Sequence, residues 1–467
     1  MDNRFSNILE TGLRWMFENL ELSSSFSAQM LREQTMAVDA GEIADQYLLL
    51  KVFCDKLAPG GPWESKQVQM QSYLGHLRDI RLTLSTLGES HTPDDIELFE
   101  IKSLSIISEN MRPFVNELRL EDFQLPDLSA VKAMLDPENT GINSFYVYDA
   151  YDERLSSLRK RIRSEGEYAE ELQYQAAVIE QGVRKSLTQS LLLFRSQLQQ
   201  ALHSLAHTDI LLAKALQVHR LKLVLPEVVE TTTSLQGLFN PEVKDILAKE
   251  GKEFEPVDVS FSLYQPLLIT GANMGGKSLT LKTLAMVQLL FQFGFGIPAQ
   301  RASMVPVEEV FLSAGDHQDF LKGISSFGAE MKKIDQALSL MDKGKKILCL
   351  IDEPASTTNP TEGAALVKGL MKMLLQKNTL SIVTTHYNLK GVNCQRLRVK
   401  GFQDGRMNYQ LIADPLDETP REALRIAQSM GINPRWIELA YHELENADIE
   451  NNLIRKTNMQ SHNETNA

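Results

Sequence analysis

Eight consecutive residues constrain this chain more than any others: Gly271, Ala272, Asn273, Met274, Gly275, Gly276, Lys277 and Ser278. An apolar run, Leu267-Leu268-Ile269, leads into them, and a helical pattern starting at Leu279 leads out. The order G-x-x-x-x-G-K-S, with a strand before and a helix after, is the pattern of a phosphate-binding loop. Glycines let backbone amides curl round a β-phosphate, and the helix start adds its positive end. Lys277 is then placed to reach β- and γ-phosphate oxygens, and the Ser278 hydroxyl to coordinate Mg²⁺.

Two more apolar runs follow, Ile347-Leu348-Cys349-Leu350-Ile351 and Leu380-Ser381-Ile382-Val383. Runs without alternation suit central strands of a parallel sheet covered on both faces by helices. The first closes on Asp352-Glu353, which places Asp352 at the carboxyl edge of the sheet, beside the phosphate loop. Asp352 is the expected Mg²⁺ ligand, and Glu353 the group that orients and deprotonates an attacking water. The third run ends in Thr384-Thr385-His386, and a histidine at such a strand end can sense or polarise groups near a γ-phosphate. ATP and Mg²⁺ are the expected ligands.

The rest of the chain reads differently. Up to about residue 225 the pattern is helical throughout. Thr92-Pro93-Asp94-Asp95 predicts a helix start, with threonine as cap and proline in the first turn. Leu135 to Gly141 predicts a break, and Tyr151 to Leu216 reads as long helices that suit a spacer or lever. Near Leu225-Pro226 the texture changes to alternating strands and helices. The apolar stretch Leu279–Ile297 is broken by Lys282, Gln288 and Gln292, so it reads as a buried helix rather than a membrane span.

Composition excludes several classes. Across 467 residues, 61 Asp+Glu against 48 Lys+Arg leave a net charge of −13, which disfavours a whole-surface polyanion binder. A local basic run, Arg159, Lys160, Arg161 and Arg163, is the candidate contact to DNA phosphates, set against the ordinary reading as a solvated helix face. Cys54, Cys349 and Cys394 have neither the number nor the spacing of a disulfide framework or zinc site, so they read as reduced thiols of a cytoplasmic protein. His203 and His207 have the helical offset of two metal ligands but no glutamate or cysteine nearby in a recognised pattern.

The segments TGANMGGKS, LIDEPASTTNPTEG and TTHY resemble the ATPase domain of the MutS family of ABC-type ATPases. GFGIPAQRASMVPVEEVF and Gly323-Ile-Ser-Ser-Phe-Gly-Ala-Glu-Met331 extend the likeness, the latter to the family's signature segment. EALRIAQSMGINPRWIELA is similar to its C-terminal helices, and GINSFYVYDAYDERLSSLR and ALHSLAHTDILLAKA resemble its helical core and lever. The resemblance implies an α/β P-loop (ABC-type) ATPase domain preceded by an all-α core and lever. It divides the chain into a helical N-terminal region (1–90), core and lever (91–225), P-loop domain (226–410), C-terminal helical dimerisation segment (411–445) and disordered tail (446–467).

The resemblance also assigns roles. Lys277 and Ser278 match the loop lysine and magnesium ligand, Asp352 and Glu353 the acid pair, and His386 the switch histidine. Ser325, followed by Ser326, matches the serine that reaches the γ-phosphate of a partner subunit, so the unit is expected to be a dimer, with itself or with a MutS-like paralogue. Some positions depart from the family. Ala272 replaces a usual proline and Leu279 a threonine, Ala355-Ser356-Thr357 replaces a glycine-arginine-glycine, and Arg425 falls where a base-contacting histidine is frequent. About ninety residues before the core are too few for mismatch-reading and connector domains. Two functions therefore stand: a DNA-associated ATPase that does not read mismatches, or an ATP-driven remodeller of a client protein, such as a reactivating factor for a cobalamin-dependent aminomutase. Neither involves a membrane.

Overall fold

The computed structural model describes residues 12–88, 91–119, 124–142, 144–165, 170–271, 276–314, 326–387, 389–403, 406–414 and 423–444. The expected tail at 446–467, the loop residues Ala272, Asn273, Met274 and Gly275, and Ser325 lie outside them.

Every named element up to Leu221 is helical. The helix predicted near Thr92 is Asp95–Glu117, but its cap is Asp94 rather than Thr92. The Asp94 carboxylate accepts the amides of Ile96 (2.9 Å) and Glu97 (2.8 Å), and Glu97 reaches back to the Asp94 amide (2.9 Å). A carboxylate closing this reciprocal box satisfies two free amides at once, so it displaces the hydroxyl as cap. Pro93 consequently sits outside the helix. Three long helices follow, Glu153–Glu165, Glu170–Leu192 and Arg195–Leu221. The last ends at Lys222 in the left-handed conformation, where the Leu223 amide donates back to Val218 O at 2.9 Å.

The predicted break at 135–141 is organised by one buried acid. Asp136 accepts the amides of Thr140 (3.1 Å) and Gly141 (2.9 Å) and the Thr140 hydroxyl (2.8 Å). Lys102, fully buried, places its ammonium 3.4 Å from the same carboxylate and donates to the Tyr148 hydroxyl at 2.9 Å.

Beyond Leu225 two sheets form. The smaller has the order β1 (Glu227–Val228), β5 (Arg301–Met304), β2 (Thr232–Leu238), β3 (Val257–Ser262). The larger has the order β10 (Arg406–Ala413), β9 (Gln395–Gln403), β4 (Leu267–Thr270), β8 (Leu380–Thr385), β7 (Ile347–Ile351), β6 (Glu309–Ser313). All its pairings are parallel except the β9–β10 hairpin. The three apolar runs of the sequence are thus its central strands, buried at every position.

Their side chains divide by alternation between two cores. Leu267, Ile269, Leu348, Leu350, Leu380 and Ile382 face the helix Lys277–Gln292 and the helical half of the chain. Leu268, Ile347, Cys349, Ile351 and Val383 face the helices Ser326–Asp342 and Pro360–Leu374. Gln288 and Gln292, which interrupt the apolar helix, are buried because they donate to Val305 O (3.0 Å) and Val307 O (2.6 Å). All three cysteines are free thiols. None of the described helices is long and apolar enough to cross a membrane.

Replacing Lys102 with Met would leave Asp136 charged and buried without its counter-ion. A loss of about 3 kcal/mol in urea unfolding is expected; a loss below about 1 kcal/mol would show that the loop amides alone hold the carboxylate.

Candidate nucleotide site

The carboxyl ends of β4, β7 and β8 bring the predicted residues together. Gly271 follows β4 with φ +140°, and a Cβ there would come within 3.0 Å of the Val399 side chain on β9. Gly276 has φ +74° and opens the helix on which Lys277 and Ser278 stand first and second. Only glycine takes both positions without strain. Ser278 is exposed and Leu279 half-buried, whereas Lys277 is 4% exposed.

A buried ammonium needs opposite charge and full hydrogen bonding. Lys277 Nζ finds both, donating to Gly271 O at 2.8 Å and lying 3.1 Å from Glu353 Oε1. The other oxygen of Glu353 is 3.8 Å from His386 Nδ1. Lysine, glutamate and histidine come from three different strand ends and meet at one point. The strand order adds a detail that the sequence does not carry: β8 lies between β4 and β7, so Asp352 is not on the strand next to the loop but one strand removed.

That intervening strand supplies the bracket. The Thr384 hydroxyl on β8 donates to Asp352 Oδ1 at 2.6 Å and accepts the Glu353 amide at 3.0 Å. One threonine thereby fixes both acids relative to the histidine two residues on. Sequence reasoning missed it, because a threonine in a strand is ordinary.

The turn after β7 is strained. Glu353 has φ +45° and Ala355 φ +58°, both in the left-handed region that costs non-glycine residues roughly 1–2 kcal/mol. Such strain persists only where the surroundings hold it. Here the Ala355 amide donates to Glu330 Oε2 at 3.3 Å, and the Tyr387 hydroxyl donates to Ala355 O at 2.8 Å. Glu330 belongs to the signature-like segment and Tyr387 follows His386, so the turn is tied to both. Burial, with Glu330 and Glu353 nearby, raises the Tyr387 phenol above its ordinary pKa, so it stays a donor.

Tyr409 on β10 was also missed. Its ring lies against the start of the loop helix, where a Cβ on Gly276 would be 3.1 Å from Cδ1. Its amide donates to Glu255 Oε2 at 2.8 Å, and the residue is 40% exposed. Arg425 is exposed on the helix Ala423–Ser429. Ser326 begins the helix Ser326–Asp342.

The basic run is split. Arg159 is turned into the fold, 2.5 Å from Asp149 and 2.7 Å from Glu180, and donates to Val147 O. Lys160, Arg161 and Arg163 are exposed on the same helix. No group of three or more His, Cys, Asp or Glu residues capable of holding a metal occurs among the described residues, His203 and His207 included.

Ala355→Gly should remove the left-handed strain and raise stability by about 0.5–1 kcal/mol after the added freedom of the unfolded chain is subtracted. Thermal or urea unfolding reads the change; a fall in stability would mean that the conformation at Ala355 is not the one described.

Comparison with known proteins places this geometry. The family model for MutS domain V matches residues 267–408, the stretch from β4 into β10. The protein named Endonuclease MutS2 from Leuconostoc mesenteroides is 31% identical over 294 residues, which are 61% of this chain and 36% of that protein. Its namesake from Lactiplantibacillus plantarum is 28% identical over 327 residues, 66% of this chain and 40% of the relative. That from Thermomicrobium roseum is 33% identical over 213 residues, 44% and 27% of the two chains. The matches thus cover well under half of the relatives' own length. On this likeness, residues 267–408, which hold the lysine, the acid pair and the histidine, are similar to MutS domain V.

Proposed function

We propose that the protein is a magnesium-dependent ATPase of P-loop type, with residues 226–410 as motor and the helices of 91–225 as core and lever. The observation that carries this reading is the convergence of Lys277, Glu353 and His386 where a phosphate loop meets two strand ends. Lys277 is held by groups it can exchange: an incoming polyphosphate would replace the Glu353 carboxylate as its counter-charge. That exchange frees Glu353 to orient and deprotonate a water, with His386 beside it.

The residues present fit a hard, oxygen-preferring cation. The Ser278 hydroxyl is exposed at the first turn of the helix, and Asp352 is a carboxylate oriented by Thr384. Mg²⁺ held there would neutralise charge on the β- and γ-phosphates. The Tyr409 ring, beside Gly276, offers a face for the adenine.

We further assign Ser325 and Ser326 to contacts with the nucleotide of a second subunit, and 411–445 to dimerisation. The dimer is with the chain itself or with a MutS-like paralogue. The relatives favour DNA as the partner, bound without mismatch reading through Lys160, Arg161 and Arg163 in the cytoplasm. A second reading, ATP-driven remodelling of a client enzyme, draws on the net charge of −13 and on the engagement of Arg159 by Asp149 and Glu180.

Lys277→Ala should abolish tight ATP binding. Glu353→Gln should bind ATP but hydrolyse it at least about a hundredfold more slowly, the scale of a lost general base. Tyr409→Ala should weaken binding about ten- to a hundredfold, as loss of one stacked base does. Wild-type turnover in Glu353→Gln, read by phosphate release, would contradict the assignment.

DNA affinity should ignore a mismatch and fall steeply with salt, as phosphate contacts do. Lys160, Arg161 and Arg163 changed together to Ala should lower it further in a fluorescence-anisotropy titration. Retained ATPase activity with no DNA binding at low salt would favour the client-protein reading.

A further inference from the structure

The helix Lys277–Gln292 has a second end, about 24 Å from the phosphate loop at 1.5 Å per residue. The turn that follows closes on three of its last carbonyls, with the amides of Phe293, Phe295 and Gly294 donating to Leu289 O (2.9 Å), Leu290 O (2.8 Å) and Phe291 O (3.2 Å). Segments distant in sequence supply partners for this end and the turn after it. The Tyr47 hydroxyl donates to Phe291 O (3.1 Å) and Phe295 O (2.8 Å), and Lys214 Nζ donates to Phe293 O (2.5 Å). The Ala37 amide donates to Gln292 O at 3.1 Å, and Gln292 Nε2 donates back to Ala37 O at 2.7 Å. Aromatic contacts close the assembly: Phe17 lies 4.9 Å from Phe295 and Tyr47 stacks 5.9 Å from Phe291, centroid to centroid.

Tyr47 and Lys214 are 6% and 4% exposed, so both polar groups give up water to make these bonds. An amine donates to a carbonyl whether or not it is charged, and burial pulls the Lys214 ammonium down to about 7. Lys214 Nζ also lies 4.4 Å from the centroid of the Phe295 ring. The helix between the two ends is buried at every residue from Thr280 to Gln292 except Lys282. A helix packed on all sides shifts as a unit rather than bending. Whatever moves its carboxyl end moves Lys277 and Ser278.

We propose that Tyr47 and Lys214 are positioning residues for the nucleotide site, and that with Ala37 they form a clasp through which the N-terminal helices and the helix Arg195–Leu221 set ATP affinity. This rests on the ATP reading above. Linkage makes the coupling reciprocal: if the clasp alters ATP affinity, ATP must alter the clasp.

The experiment uses the full chain. Steady-state hydrolysis gives KM and kcat for wild type, Tyr47→Phe and Lys214→Met, and hydrogen–deuterium exchange follows residues 35–48 with and without saturating Mg-ATP. The clasp predicts a three- to tenfold rise in KM in each variant with kcat changed less than twofold. It also predicts slower exchange at 35–48 with ATP in wild type and no such change in Lys277→Ala. A role in stability alone would lower the folded fraction, and so kcat, while KM stayed fixed. If Lys214→Met does not fold, Tyr47→Phe and the wild-type exchange decide the matter. An unchanged KM in Tyr47→Phe, or exchange at 35–48 indifferent to ATP that the wild type binds and Lys277→Ala does not, would overturn the clasp. Wild-type protein that fails to bind ATP would overturn the ATP reading and the clasp with it.

Discussion

A lysine ammonium 4% exposed to solvent cannot stand alone, and the arrangement of this protein's larger sheet follows from the partners that Lys277 requires. One partner, Gly271 O, comes from the end of β4; the other, the Glu353 carboxylate, from the turn after β7. These strands are not neighbours, so β8 between them must hold the two ends in register. Thr384 does so with one hydroxyl, binding Asp352 and the Glu353 amide together. Glu353 is 25% exposed, and its other oxygen lies 3.8 Å from His386 Nδ1.

Around that centre the fold uses strain and packing together. Left-handed conformations at Glu353 and Ala355 aim the turn, and Glu330 and Tyr387 hold it from two different elements. The signature-like helix, the acid pair and the histidine are therefore one hydrogen-bonded unit. On the opposite face of the sheet, the helix that starts at Lys277 runs into the helical half of the chain. The site is thus connected on both faces, to the helices Ser326–Asp342 and Pro360–Leu374 on one side and to the N-terminal helices on the other.

The parts legible in the sequence were those whose physics is local. Backbone at positive φ favours glycine, and Gly271 and Gly276 take φ +140° and +74° at the two ends of the segment that the sequence marks. Strands buried on both faces need unbroken apolar runs, and the three expected runs are β4, β7 and β8. Gln288 and Gln292 marked a buried helix rather than a membrane span. The parts that stayed hidden depend on distant partners. Thr384 acts on residues 31 and 32 positions away, and Tyr47 on residues 244 and 248 away. Arg159 looked like a phosphate contact until Asp149 and Glu180 were seen beside it. Strand order, which separates β7 from β4, has no local signature at all. Even the local cap near Thr92 was misplaced by two residues, because the choice between Thr92 and Asp94 turned on the reciprocal bond from Glu97.

The central claim is that the Lys277–Glu353 contact is the resting form of an ATP site. A structure determined with Mg²⁺ and a non-hydrolysable ATP analogue tests it most directly. The account predicts that Lys277 Nζ leaves Glu353 for the β- and γ-phosphate oxygens, with the Ser278 hydroxyl on the metal and the Glu353 carboxylate turned to a water near the γ-phosphate. An analogue seated elsewhere, or one bound at the loop with the Lys277–Glu353 contact still closed at about 3 Å, the ordinary length of such a bond, would contradict it.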